Sequence, residues 1–187
     1  MIGYRREQTE ERSQQVNQQI TEDALDSIVY RPNYPATVLS PYGTAAFGVG
    51  NGTAFLTLPN AVGGGGNVSL PIPTAYWIKG VLSVRIIWSG TVASAVTNVQ
   101  WLLSMSLTKY NAAPATVSLA TVDLAGPAVI SALQDYTFSA GDTFPVDSSH
   151  ILLGISLQRN GAAAGDTYAG DAKLQGFQVI YTPAAGH

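Results

Sequence analysis

The chain has no cysteine, so neither a disulfide framework nor a thiolate metal site is open to it. Charge is nearly as scarce. Charged residues fill 11% of the 187 positions, against about a quarter in an average globular domain. A net charge of −3 and an isoelectric point near 5.2 leave no basic face for nucleic acid and no polybasic route to an anionic membrane. Histidine occurs only at His150 and His187, which argues against a hydrolytic triad or a histidine-rich metal site. There is no Gly-x-Ser-x-Gly elbow and no run of about 18 apolar residues to span a membrane. The opening MIGYRREQTEERSQQ lacks the apolar core of a secretory signal, so synthesis and assembly in a cytoplasm are expected. The sequons at Asn51 and Asn67 then read as coincidence.

What charge there is lies at one end. Ten charged residues, including all four glutamates (Glu7, Glu10, Glu11 and Glu22), fall in the first 31 positions. From Pro32 onward the surface has to be built from Ser, Thr, Asn, Gly and Ala. Such a surface has little charge to desolvate and suits close contact with copies of itself or with a larger assembly. A merely inert surface is the plainer alternative.

Residues 1 to about 31 are polar and helix-friendly. Thr9 before Glu10-Glu11, and Thr21 before Glu22-Asp23, resemble helix starts, a hydroxyl cap followed by acids in the first turn. Val16, Ile20, Ala24 and Ile28 recur every fourth residue, with Leu25 beside them, as a narrow apolar stripe. A short helix of this kind is marginal alone. It is expected to dock on its own domain, on symmetry copies or on another protein, or else to stay a solvated tail. Arg31-Pro32-Asn33-Tyr34-Pro35 breaks the helix, and Ser40-Pro41-Tyr42-Gly43 reads as a turn. The domain boundary is expected between 30 and 43, with an attachment arm and linker over 1–43 and a β domain over 44–187. Val16, Ile20, Leu25, Ile28, Tyr30, Tyr34 and Tyr42 are the residues expected to dock the arm, Tyr burying area while keeping a polar tip. Packing of these tyrosines on the chain's own domain is the alternative.

Beyond the linker, strands dominate. They are expected at Thr44–Val49, Thr53–Leu58, Asn67–Ile72, Tyr76–Trp88, Asn98–Tyr110, Thr116–Leu124, Leu133–Ser139, His150–Arg159 and Ala172–Tyr181, separated by Gly-rich turns. This pattern predicts a mainly β fold, an antiparallel jelly roll or β-sandwich, with a short helical or extended N-terminal arm. Leu82, Val84, Ile86 and Trp88 form one inward set, and Trp101, Leu103, Met105 and Leu107 another. In the last strand neither Leu174, Gly176, Gln178, Ile180 nor Lys173, Gln175, Phe177, Val179, Tyr181 is cleanly polar, so both faces are expected to be partly covered. Gly48 to Gly52 and Gly63 to Gly66 are not followed by a helix or by Lys-Ser/Thr, so phosphate loops are a poor reading. Flexible loops, or close backbone approach at a subunit contact, are expected there.

Three stretches carry a resemblance: the strand pair VLSVRIIWSG (81–90) and NVQWLLSMSL (98–107), then HILLGISLQRNG (150–161), then D-x-Y-x-x-D-A-K-L-x-G-x-x-V-x-Y (166–181). Over about residues 70 to 182 the chain resembles the jelly-roll domains of tailed-bacteriophage virion proteins, among them capsid decoration (cement) proteins, head fibres and tail-fibre tips. The resemblance implies a homotrimer, attachment through a variable N-terminal segment, and a structural role without chemistry.

The resulting expectation is a non-enzymatic capsid decoration protein on the outer surface of a phage particle. Its partners would be copies of itself and the major capsid protein or another virion protein, with no nucleic acid, membrane, cofactor or metal. The alternative is a fibre tip binding a host-surface glycan through Tyr110, Asn111, Asn160 and Tyr168 near loop tips. Asp166, Tyr168 and Asp171 are expected in the loop entering the last strand, with Asp171 accepting backbone hydrogen bonds where that strand begins and Tyr168 packing over an edge. A calcium site from Asp166 and Asp171, with Asp142 or Asp147, is the competing reading, since calcium wants several carboxylate oxygens. Asp142 and Asp147 themselves read as turn residues rather than a glycosidase pair.

Overall fold

The computed structural model describes residues 31–50, 52–60, 64–72, 79–138, 144–147 and 149–183. The expected docking residues Val16, Ile20, Leu25, Ile28 and Tyr30 lie outside the described residues, as does Asp142. The strands are β1 (Asn33–Pro35), β2 (Ser40–Tyr42), β3 (Ala46–Gly50), β4 (Thr53–Leu58), β5 (Gly64–Pro71), β6 (Lys79–Gly90), β7 (Asn98–Lys109), β8 (Ala115–Ala125), β9 (Gln134–Thr137), β10 (Phe144–Asp147), β11 (His150–Arg159) and β12 (Ala172–Pro183). A single 3-10 turn, Ala36–Val38, joins β1 to β2.

These strands make two antiparallel sheets. One runs β10-β6-β12-β4-β3, and the other runs β2-β5-β11-β7-β8. β9 and β10 share the free edge of β6 end to end, while β1 and β4 share the other edge of β12. The central order β4-β12-β6-β9/β10 facing β5-β11-β7-β8 is that of an eight-stranded jelly roll, two interlocked Greek keys. The fold is therefore an antiparallel β-sandwich.

Sequence alternation places the core between the sheets. Leu82, Val84, Ile86 and Trp88 of β6 face Trp101, Leu103, Met105 and Leu107 of β7, all buried. Trp88 and Trp101 meet edge to face with ring centroids 5.6 Å apart, a geometry worth about 0.5–1.5 kcal/mol beyond burial.

β12 resolves the ambiguity of the last strand. Leu174 pairs with Trp88, and Gly176 pairs with the next residue back, Ile87, so Gln175 is an extra residue. This bulge reverses the phase of the alternation. Ala172 and Leu174 point into the core before it, and Phe177, Val179 and Tyr181 after it. Each of the two sets read from strict alternation is half core and half surface, which is why neither looked polar.

Residues 33–42 depart from expectation. The segment read as linker and turn is built into both sheets, β1 on β12 and β2 on β5. Ala36 and Leu39 are core residues, so residues 33–42 pack with the sandwich, inside the 30–43 window expected to hold the boundary. Tyr34 stacks on Phe177 with centroids 5.2 Å apart. The Tyr42 hydroxyl lies 3.0 Å from Ser156 Oγ. Both tyrosines thus pack on the chain's own sandwich. Gly64, Gly65 and Gly66 are likewise not a loop but the buried start of β5. A Cβ at Gly65 would stand 2.6 Å from the Leu157 carbonyl oxygen, and one at Gly66 2.9 Å from Leu39. The close approach is within the chain. β10, expected as a turn, pairs with residues 79–82 of β6.

The bulge also needs glycine. A Cβ at Gly176 would lie 2.7 Å from the Tyr34 carbonyl oxygen, in the backbone of β1. Gly176→Val is expected to force β1 away from β12 and to destabilise the fold by about 1–3 kcal/mol, as overpacking does. Urea denaturation followed by tryptophan fluorescence checks this.

Candidate functional site

Arg159 ends β11 in the same phase as the inward residues Leu153, Ile155 and Leu157, so its side chain enters the sandwich. A charge in that position requires a partner. Asp166, seven residues on, supplies it. Nε donates to Asp166 Oδ2 at 2.8 Å and Nη2 to Oδ1 at 2.7 Å, and both side chains are fully buried. The guanidinium also donates to the carbonyls of Gly170 at 2.5 Å and Tyr168 at 2.5 Å, and more loosely to Leu58 at 3.4 Å.

The loop so gathered is tied to the start of β7. The backbone N–H of Gln100 donates to Asp166 Oδ2 at 3.1 Å. The N–H groups of Thr167 and Tyr168 both donate to the Asn98 carbonyl, at 2.8 and 2.9 Å. Tyr168 fills a slot whose walls are Gly90, Gly126 and Gly170, where any Cβ would crowd its ring or hydroxyl. Its hydroxyl donates to the Val92 carbonyl at 2.6 Å and accepts from the Val92 N–H at 2.8 Å. Asp171 joins through its backbone, its N–H donating to Thr91 Oγ1 at 2.7 Å and its carbonyl accepting from the Thr91 N–H at 3.1 Å. The loop leads into β12 as expected, but Asp171 takes part here through its backbone, and Tyr168 is buried in its slot rather than packed over an edge. Of the residues named for the calcium alternative, Asp166 has both oxygens held by Arg159, and Asp142 lies outside the described residues. Among the described residues no cluster of metal-ligating side chains forms.

The four loop-tip residues of the glycan alternative are not brought together. Tyr168 is fully buried and cannot meet a ligand. Asn160 is half-buried and donates through Nδ2 to Gln100 Oε1 at 2.9 Å. Tyr110 is 78% exposed and Asn111 sits at φ +53°, but both follow β7 at the opposite end of the sheet. The length of β11, about 30 Å, separates the two pairs. Near Tyr110, Asp147 accepts hydrogen bonds from the hydroxyl and N–H of Ser149, which hold its carboxyl below the usual range. That small stabilising contribution is present above the ordinary carboxylate range and fades as pH falls through the lowered value.

A surface not anticipated from the sequence lies on the outer face of the five-stranded sheet. Register aligns Ser40, Asn67, Ser156 and Ser104 in a row across β2, β5, β11 and β7. The next row is Ser69, Gly154 and Ser106. Together they line an open groove of about 400 Å³. Tyr42 borders it, crossing Gly65 so that its hydroxyl meets Ser156 Oγ and donates to Gln158 Oε1 at 3.4 Å. None of the lining residues is titratable, so the groove holds hydrogen-bonding groups but no acid–base pair. Serines scattered over four strands carry no sequence motif. Only the pairing register collects them.

No protein-family model matches the chain, and no curated protein does. Among solved structures, the Cry4Aa mosquito-larvicidal toxin of Bacillus thuringiensis is similar over 81% of this chain at 13% identity with a TM-score of 0.57. The chain spans 23% of that toxin's length. The CBM22-1 xylan-binding domain of Xyn10C from Paenibacillus barcinonensis is similar over 82% of this chain and 95% of its own, at 15% identity and a TM-score of 0.45. An exo-β-1,3-galactanase from Phanerochaete chrysosporium is similar over 80% of this chain and 29% of its own, at 12% identity and a TM-score of 0.48. At such identities the likeness concerns the β-sandwich fold alone.

Removing one partner of a buried ion pair leaves an uncompensated charge. Asp166→Ala is expected to destabilise the fold by about 3–5 kcal/mol, and Tyr168→Phe by about 1–3 kcal/mol. Thermal unfolding of both variants by circular dichroism tests this order.

Proposed function

We propose that the chain is a structural protein of the outer surface of a tailed-phage particle, a trimeric capsid decoration protein whose N-terminal segment docks it on the shell. The observation that supports this reading most is how the body disposes of its few charges. Arg159 is paired with Asp166 in the interior, Arg85 with Asp135 at 2.7 Å, and Lys109 with Asp147 at 3.9 Å. Much of what is left exposed is uncharged, and some of it is apolar: Val49 at 77%, Leu133 and Val129 at 65%, and Ile130 at 59%. Such a surface loses little hydration when another protein covers it. Arg159, Asp166 and Tyr168, within the stretches that carry the resemblance to virion jelly rolls, are occupied in holding the end loop, which fits a rigid body without chemistry. Many copies, each contributing modest contact energy, would reinforce a shell by avidity.

Two outcomes follow. The chain is expected at near-stoichiometric ratio to the major capsid protein in purified particles, by quantitative mass spectrometry; its absence from particles would overturn the assignment. Deleting residues 1–31 keeps Pro32, whose carbonyl accepts from the Val179 N–H at 3.2 Å. The shortened chain is therefore expected to keep its fold and lose binding to particles. Unfolding of the shortened chain would assign those residues to the domain instead.

A second reading, recognition of a neutral glycan, is favoured by the serine-lined groove. Hydroxyl and amide groups without charge suit a polyol, and adjacent strands about 4.8 Å apart would set one row of contacts per strand. Wild type is then expected to score on a glycan array and Ser104→Arg, which fills the groove from the sheet surface, to score on none. An array with no wild-type signal would remove this reading and leave the decoration role standing.

A further inference from the structure

We propose that β3 is a pairing edge, joining antiparallel and in one register with β3 of a second copy of the chain. This goes beyond the decoration role and does not depend on it, since it rests on the sheet edge alone.

A sheet edge offers a row of open backbone donors and acceptors, and proteins commonly block it with proline or charge. The shorter edges elsewhere are blocked in that way: β2 carries Pro41, β10 carries Pro145 and Asp147, and β9 carries Asp135, while β8, 11 residues long, carries a charge only at Asp123. β3 carries neither. It reads Ala46-Phe47-Gly48-Val49-Gly50 and, among the described residues, is paired on one side only, with β4. Its two large side chains are apolar and open, Phe47 at 47% and Val49 at 77% exposure.

The pattern of the strand selects the occupant. Small and large residues alternate symmetrically about Gly48. Antiparallel pairing centred there sets Phe47 of each copy opposite Val49 of the other, on one face, so that each exposed side chain covers the other. A slip of one residue would break both contacts. The same patch serves both copies, so the contact is isologous and closes on a two-fold axis. The opposite face of Gly48 is already taken, since a Cβ there would stand 2.6 Å from the Phe55 ring. Five residues a side bury far less than the roughly 1,200 Å² of a stable interface, so the pair forms weakly in dilute solution and strengthens where copies are held close.

The absence of cysteine makes a register test clean. Full-length chains carrying Phe47→Cys and Val49→Cys are mixed and oxidised mildly. Opposed residues in an antiparallel pair have Cα atoms about 4.5–5.5 Å apart, within disulfide range. The expected result is several-fold more cross-linked dimer in the mixture than in either chain alone. Equal yields in all three samples, or no cross-link, would overturn the pairing. In sedimentation velocity, Val49→Lys is expected to abolish the concentration dependence of the wild type. Val96→Lys, which alters a residue 93% exposed in the loop after β6, is expected to leave it intact. Equal loss in both variants would mean general stickiness and would also overturn the proposal. Matched far-UV spectra and melting temperatures confirm that each variant is folded.

Discussion

One buried ion pair organises the end of this sandwich. A guanidinium inside an apolar core is tolerable only if its donors are all met. Arg159 meets them with the Asp166 carboxylate and with carbonyls of the same loop. The loop from β11 to β12 is thereby folded back over the start of β7, and Tyr168 is carried into its glycine slot. β12 then begins in register between β6 and β4, at the centre of its sheet. The strand that completes the jelly roll is thus positioned by a charge pair formed seven residues apart and closed against a strand some 60 residues earlier.

One charged pair, Arg159 and Asp166, together with Tyr168 holds the end loop from inside, while stretches of the surface are largely uncharged. Two such surfaces stand apart. One is the hydroxyl-lined groove on the five-stranded sheet, and the other is the apolar margin around β3 and Leu133 on the seven-stranded sheet. The first offers hydroxyl and amide groups, the second apolar side chains.

Sequence periodicity identified the sandwich and most of its strands because β6, β7 and β11 alternate strictly and are long. It failed where the period is interrupted or too short to register. β1, β2 and β10 are three or four residues each, and all contain proline, which marks them as turns to any local reading. They are strands because a longer neighbour offers them an edge. In β12 one extra residue shifts the phase, so a period-two reading mixes core with surface. Arg159 was legible in principle, as a charge in inward phase at the end of an apolar strand, but its partner was not, because seven residues of loop have no fixed geometry until they fold.

By itself the sequence determined the antiparallel β class, the two tryptophan-bearing core strands and the poverty of charge beyond residue 31. These follow from composition and local alternation, which act residue by residue. The tertiary structure alone decided that Tyr168 is buried rather than displayed, that Tyr34 and Tyr42 pack on the sandwich, that three glycines open a strand, and that serines from four strands share one groove. Each of these depends on which strands lie side by side and in what register, a matter of contacts between residues tens to more than a hundred positions apart.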